Sequence, residues 1–226
     1  MTAISVKDTR GKAYRGVGME GALAKWYAGL TRKSLAQFQA LARRVAGQVP
    51  PGSRVLEVAP GPGFFAVALA RLGDYHVVGL DISRTFVDIA RRNAAEAQVD
   101  VDFREGNASS MPFESDSFDF LLCRAAFKNF SEPLAALGEM HRVLKPGGQA
   151  LIIDLRRDAT RESIAQAVDG MGLGAVNRLI TKLTFRFVLL KRAYSKGEFA
   201  SLLAQTGFRT VEIREDAIGL EIEMGK

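Results

Sequence analysis

Val55-Leu-Glu-Val-Ala-Pro-Gly-Pro-Gly63, followed eighteen positions later by Asp81 at the end of a second apolar run, decides the fold. Val55, Leu56 and Val58 read as a short buried strand, the Pro/Gly stretch as a tight turn, and Phe65 to Leu72 as a helix packing back onto the sheet. A second strand over His76 to Leu80 carries Asp81 to the place where a carboxylate can meet ribose hydroxyls. The stretch describes a nucleoside-binding βα unit.

The glycines alone leave the ligand open, because Gly61, Gly63 and Ala66 also satisfy the spacing of a dinucleotide loop. The prolines narrow it. A loop that cradles pyrophosphate needs backbone N–H donors, and Pro60 and Pro62 have none. Glu57, a carboxylate ending the first strand, would repel a diphosphate yet accept hydrogen bonds from an ammonium. The pattern points to a nucleoside that carries an amino group and no phosphate.

Further segments follow in order: Val78-Gly-Leu-Asp-Ile-Ser83, Gly106-Asn-Ala-Ser-Ser-Met-Pro-Phe113 with Ser117-Phe-Asp119, and Arg142-Val-Leu-Lys-Pro-Gly-Gly148. With the first loop they give the chain, over about residues 50 to 215, a resemblance to class I S-adenosylmethionine-dependent methyltransferases. It is closest to the small-molecule branch of ubiquinone and menaquinone biosynthesis. The resemblance implies an α/β fold: a Rossmann-like, seven-stranded, mostly parallel sheet with helices on both faces, an antiparallel last strand and a helical lid. It implies an enzyme that methylates a small, hydrophobic or aromatic molecule, with S-adenosyl-L-methionine as cofactor and no metal.

Residue by residue, the resemblance assigns Gly61 and Gly63 to close backbone approach, Glu57 to the methionyl amino group and Asp81 to the ribose diol. It assigns Asn107 to the adenine edge and Ile82 and Met111 to the flanks of the ring, with Ala59, Ala108 and Arg124 beside them. Two positions depart from the family pattern: Ala59 stands where a glycine is usual, and Asn107 where aspartate is usual. The Ala59 methyl is harmless at negative φ and costs roughly 1 kcal/mol or more in a left-handed conformation. Asn107 can still accept through its carbonyl and donate through its amide.

Length and composition agree with one globular enzyme. At 226 residues and 47% hydrophobic content the chain can bury a large core. No apolar run approaches the ~20 residues that span a bilayer, and Met1 to Arg15 lacks a signal-peptide core, so a cytoplasmic protein is expected. The single cysteine, Cys123, has no partner for a disulfide or a zinc site. A net charge of +6 steers anions without conferring specificity. No Asn-Pro-Pro-aromatic element follows the fourth strand and Cys123 has no second cysteine, so nucleic acid is disfavoured as a partner.

Along the chain, a helical pattern over 19 to 48 forms an N-terminal strap or lid (1–49), and the methyltransferase domain takes 50–226. Strands are expected near Val99 to Arg104, Phe118 to Cys123 and Ala150 to Leu155. A helix from Pro133 to Leu144 starts after Ser131 as cap, and another opens with the capping box Ser195-Lys-Gly-Glu198 and ends at Gly207. Thr210 to Arg214 and Leu220 to Met224 alternate as an antiparallel pair. Residues 160 to 193 form a lid insertion: Val176, Ile180, Leu183, Phe187 and Leu190 share one arc, and Arg178, Lys182 and Arg186 form a basic stripe. That stripe is a solvated lid or dimer face, or a surface for anionic membrane lipid. Monomer and homodimer both fit.

Methyl transfer is an SN2 displacement, so alignment can supply most of the acceleration and a general base is optional. Acceptor-side candidates lie beyond the carboxyl ends of strands four and five: Arg124, Phe127, Lys128 and Asn129, with Asp154. Lys128, Asn129 and Asp154 are the catalytic candidates. Lys128 can orient or deprotonate an acceptor, or be a plain solvated lysine; Asp154 can be a base or a strand-end cap. Tyr14, Trp26, Tyr27 and Phe127 are candidates for an aromatic wall against the acceptor. Lys12 to Gly21, with three glycines, reads as a strap that closes on binding. An RNA or protein methyltransferase, and a non-methylating S-adenosylmethionine-binding protein, stay open as alternatives.

Overall fold

The computed structural model describes residues 14–15, 18–170 and 189–226. Among them β1 (Arg54–Val58), β2 (His76–Asp81), β3 (Asp102–Glu105), β4 (Phe118–Arg124) and β5 (Leu144–Leu155) run parallel. β6 (Thr210–Glu215) and β7 (Gly219–Gly225) form an antiparallel pair, and β7 also pairs antiparallel with β5. The sheet order is β3-β2-β1-β4-β5-β7-β6, so the strand sequence reverses between β1 and β4. That reversal opens a crevice at the carboxyl edge, where ligands of open α/β sheets bind.

Alternation along β1 explains the two cores. Leu56 joins Leu121, Ile152 and Ile222 on one face, covered by Leu137 and Met140 of α5 (Pro133–Val143) and Phe199 of α7 (Lys196–Leu203). Val55 joins Phe120 and Leu151 on the other. There Phe38 of α2 (Leu35–Ala46), Phe65 of α3 (Phe64–Ala70) and Val87 of α4 (Arg84–Ala97) close the layer. Cys123 is fully buried, and burial pushes its thiol well up, as suits a small core residue. Among the described residues no helix is long and apolar enough to cross a membrane.

Several expected boundaries shift for local reasons. The helical run of 19–48 is two helices, α1 (Gly21–Thr31) and α2, joined by a 3₁₀ turn over Arg32–Ser34. Arg44 of α2 holds Glu221 of β7 through two bonds of 2.6 Å. β3 starts at Asp102 because Gln98 turns left-handed (φ 56°) to end α4. β5 starts at Leu144, straight from α5, with Lys145 to Gly148 taken up in a register shift against β4. Ser131 does not cap α5: Glu132 is the N-cap residue, Pro133 opens the helix, and among the described residues the buried Ser131 hydroxyl has no hydrogen-bond partner. The capping box holds, with Ser195 and Glu198 exchanging bonds at the start of α7. α7 ends at Leu203, short of Gly207. Of the lid insertion, α6 (Arg161–Asp169) is seen, capped by Thr160 and packed through Ile164 and Val168 on Leu190. The arc from Val176 to Phe187 and the stripe of Arg178, Lys182 and Arg186 lie outside the described residues, as does Lys12.

Candidate functional site

The loop after β1 turns through three left-handed residues, Ala59 (φ 56°), Gly61 (φ 54°) and Gly63 (φ 75°). Gly63 is the N-cap of α3, and a Cβ there would lie 2.6 Å from Phe103 and 2.9 Å from Ala90. A Cβ on Gly61 would meet nothing within 4 Å, so the loop faces open space at that point. Ala59 has no such excuse for its conformation. Replacing it with glycine should raise stability by roughly 0.5–1 kcal/mol, the strain relieved less the entropy that glycine adds to the unfolded chain. Urea unfolding of Ala59→Gly reads this directly, and a loss of stability would contradict the strain.

The loop's donors are already spent. The Ala59 N–H donates to Leu80 O (2.8 Å), Gly61 N–H to Asp81 Oδ2 (2.9 Å) and Gly63 N–H to Pro60 O (3.0 Å). Pro60 and Pro62 have none. A pyrophosphate would find no backbone donor between residues 59 and 63, whatever the glycine spacing suggests. The crevice instead offers acceptors. Glu57 is buried, and among the described residues its hydrogen-bond partner is the Ala66 N–H at 3.1 Å. Burial pushes its carboxyl up to about 8, against that N–H and the Arg124 charge. Asp81 is buried too, and burial pushes it up to about 6 despite N–H bonds from Ser83 and Gly61. Two buried acidic side chains beside a loop with no free donor suit an ammonium, for which Glu57 gives up its proton, and a diol, and they offer a phosphate no partner.

Residues 56–152 match the model of a methyltransferase domain. The demethylmenaquinone methyltransferase of Chlorobaculum parvum is 30% identical over 176 residues, covering 75% of this chain and 70% of that one. The chain belongs to the class I S-adenosylmethionine-dependent methyltransferase family. The demethylmenaquinone methyltransferase of Deinococcus radiodurans is 39% identical over 102 residues, which is 45% of this chain and only 42% of that protein. The fold matches a putative S-adenosyl-L-methionine-dependent methyltransferase from Methanococcus maripaludis with TM-score 0.72 at 20% identity, covering 94% and 95% of the two chains. The family's cofactor is S-adenosylmethionine, and the acceptor-lined, donor-poor crevice fits it.

The remaining cofactor candidates of this methyltransferase fall around the same edge. Asn107 follows β3 half-buried, its Oδ1 accepting from Ser109 N–H at 2.9 Å. Ala108 and Met111 are buried and Ile82 half-buried. The Met111 N–H donates to Glu139 at 2.6 Å, and Arg142 grips Glu139 and the Phe113 carbonyl, fixing the 106–113 loop from behind. Arg124 stacks on the Phe38 ring at 4.6 Å and donates to Gln37 at 3.4 Å. Gln37 is a neighbour the sequence did not flag, since a polar residue on a helix carries no sign of its target.

On the acceptor side the structure separates the candidates. Tyr14 and Tyr27 are half-buried, within electrostatic reach of crevice charges: Tyr14 of Asp81 and Asp154, Tyr27 of Arg124 and Asp154. Burial raises the Tyr14 hydroxyl; Arg192 opposes it, while Tyr27, Asp81 and Asp154 add to it. Burial also raises Tyr27, against Arg124 and with Asp154. Both stay phenols. Trp26 turns away and is 64% exposed, because consecutive helix residues point about 100° apart. Phe127 is no wall: its ring is fully buried against Phe199 (4.9 Å between centroids), Phe130 and Tyr194. Lys128 is not a solvated lysine. Its Nζ donates to Asp154 Oδ1 (2.8 Å) and Ala125 O (2.6 Å), and its N–H to Asp154 Oδ2 (2.9 Å). Asp154 also accepts from Leu155 N–H (2.8 Å), so the strand-end role describes it and a free base does not. Asn129 is half-buried, and its carbonyl accepts from Arg15 N–H at 2.7 Å.

That last bond belongs to an arrangement no motif announced. Tyr14 bridges to Phe130, and Arg15 reaches Tyr194 and Ser131, on the β4–β5 side. On the β2 side the Ser83 hydroxyl donates to Met19 O, and Glu20 accepts from Arg84 N–H and Thr85 N–H at the start of α4. The N-terminal segment is thus moored on both banks of the crevice.

Proposed function

We propose that this methyltransferase moves a methyl group from S-adenosylmethionine to a small, hydrophobic, phenol- or quinol-like molecule. The observation that carries the reading is the crevice itself, with its two buried acidic side chains, its spent loop donors and two protonated tyrosines. The named activity of the Deinococcus and Chlorobaculum relatives supports the acceptor class. In this reading Glu57 takes the methionyl ammonium and Asp81 the ribose diol, while Asn107 meets the adenine edge between Ile82 and Met111. Gly61 and Gly63 let the backbone approach, with Ala59 and Ala108 lining the way. Bound cofactor supplies an electrophilic methyl on a sulfonium. The chain's part is to align and desolvate: the Tyr14 and Tyr27 hydroxyls, with Arg192, orient the acceptor oxygen, and the segment of Tyr14, Arg15 and Gly18 to Glu20 moored across the crevice helps to exclude water.

Calorimetry with S-adenosylmethionine and S-adenosylhomocysteine, followed by transfer of labelled methyl to a panel of hydroquinones, tests the proposal. Asp81→Ala should weaken cofactor binding by about 1.5–3 kcal/mol, the worth of charge-assisted hydrogen bonds, and toward the upper end because the Gly61 and Ser83 anchors go with it. Uptake of a nicotinamide dinucleotide, with neither adenosyl ligand bound, would overturn it.

A further inference from the structure

Helix α1 shows two faces. Ala24, Tyr27 and Ala28 pack inward on Phe86 and Ile89 of α4. Leu23, Trp26 and Leu30 lie within about 60° of one another on a 3.6-residue helix, and they are 37%, 64% and 45% exposed. A stripe of two leucines and a tryptophan in water is costly unless something covers it.

The charge around it says what. From Gly21 to Leu56 the sequence has six basic residues, Lys25, Arg32, Lys33, Arg43, Arg44 and Arg54, and no acidic one. Arg44 and Arg54 are spoken for, the first by Glu221 and Glu223 and the second by stacking on Phe118. Lys25, Arg32 and Lys33 are exposed along α1 and the turn after it. An apolar stripe containing tryptophan, edged by cations on a helix that carries no carboxylate beyond its Glu20 cap, matches the boundary of an anionic bilayer, where leucines enter the acyl region and indole sits at headgroup level. A second copy of this chain would bring the same cations to its own face, and like charges oppose that pairing.

We propose that the Leu23–Trp26–Leu30 face of α1 docks this protein on anionic lipid bilayers. The neighbouring residue of the same helix, Tyr27, packs on Phe86 and feels the charges of Arg124 and Asp154 at the crevice, so docking would bring the site close to the lipid. The docking rests on the α1 surface alone; its use for delivering an apolar acceptor rests on the function proposed above.

Trp26 is the chain's single tryptophan, so its fluorescence reports this face and nothing else. Phosphatidylcholine vesicles with about one-third phosphatidylglycerol should shift its emission to the blue and bind at least about tenfold more protein than vesicles without it, an effect that fades at ~0.5 M salt. Leu23→Glu and Leu30→Glu should each lower binding about tenfold or more. Val211→Glu, at an equally exposed position on β6, should not. S-adenosylhomocysteine calorimetry on the same proteins reads the cofactor site separately, so a failed enzyme and a failed membrane contact are told apart. Unshifted Trp26 emission on anionic vesicles, equal binding by the variants, or a dimer that they dissolve would overturn the proposal.

Discussion

Lys128→Met and Asp154→Leu, made singly, are expected to cost this protein about 3–5 kcal/mol each, and the double variant much less than their sum. The two side chains are 5% and 4% exposed, and their 2.8 Å contact lies under the crevice floor. Removing the ammonium leaves a buried carboxylate with only the N–H groups of Lys128 and Leu155 for company. Removing the carboxylate leaves a buried ammonium with one carbonyl, that of Ala125, a residue itself held at φ 57°. Either orphaned charge bears its full desolvation penalty, whereas the methionine–leucine pair buries no charge and leaves only the Lys128 and Leu155 N–H groups and the Ala125 carbonyl without their side-chain partners. A urea-unfolding double-mutant cycle measures the coupling. Single losses below about 1 kcal/mol that simply add would mean water reaches the pair and the ion pair is a surface one in disguise.

The same pair marks the limit of what the residue pattern could reveal. β1, the loop and Asp81 were readable because each rests on a local rule: apolar runs bounded by Pro and Gly, and a carboxylate at a strand end. Pro60 and Pro62 withhold two donors from the loop, and Gly61 and Gly63 give their own N–H groups to Asp81 and to the Pro60 carbonyl. The capping box at Ser195 is equally local. Burial is not. Lys128 and Phe127 follow β4 in a 3₁₀ turn, and nothing in Ala-Ala-Phe-Lys-Asn says that the lysine folds back under Asp154, twenty-six positions later, or that the phenylalanine enters a cluster with Phe199. Trp26 and Tyr27 are adjacent and equally aromatic, yet only Tyr27 sits on the inward arc of α1. Composition cannot choose between them; the docking of α1 on α4 does. Ser131 failed as a cap for a subtler reason, because with Pro133 opening the helix the chain places Glu132, not Ser131, at the N-cap.

The second large effect is a proton. Glu57 is held at about 8 and Asp81 at about 6, both raised chiefly by burial, whereas in the unfolded chain they titrate near 4. A folded value above the unfolded one means the native state binds more protons, so the stabilisation is complete below about pH 4 and drains away as pH climbs through 6 and then 8. Without cofactor the protein should therefore lose stability between pH 5 and 8, by an amount on the order of a few kcal/mol. A ligand bearing an ammonium reverses the preference at Glu57, since only the carboxylate pairs with it. Binding at pH 7 should release close to one proton, and affinity should climb with pH by up to about tenfold per unit below 8 while the ligand's ammonium stays charged. Calorimetry in two buffers of unlike ionisation heat counts the proton, and melting curves follow the free protein. Glu57→Gln, which keeps an acceptor for the Ala66 N–H but cannot ionise, should flatten both pH profiles and weaken binding by about 1.5–3 kcal/mol. A wild-type affinity indifferent to pH between 6 and 8 would place the ammonium away from Glu57, and would leave that buried carboxyl as a neutral brace for the first turn of α3.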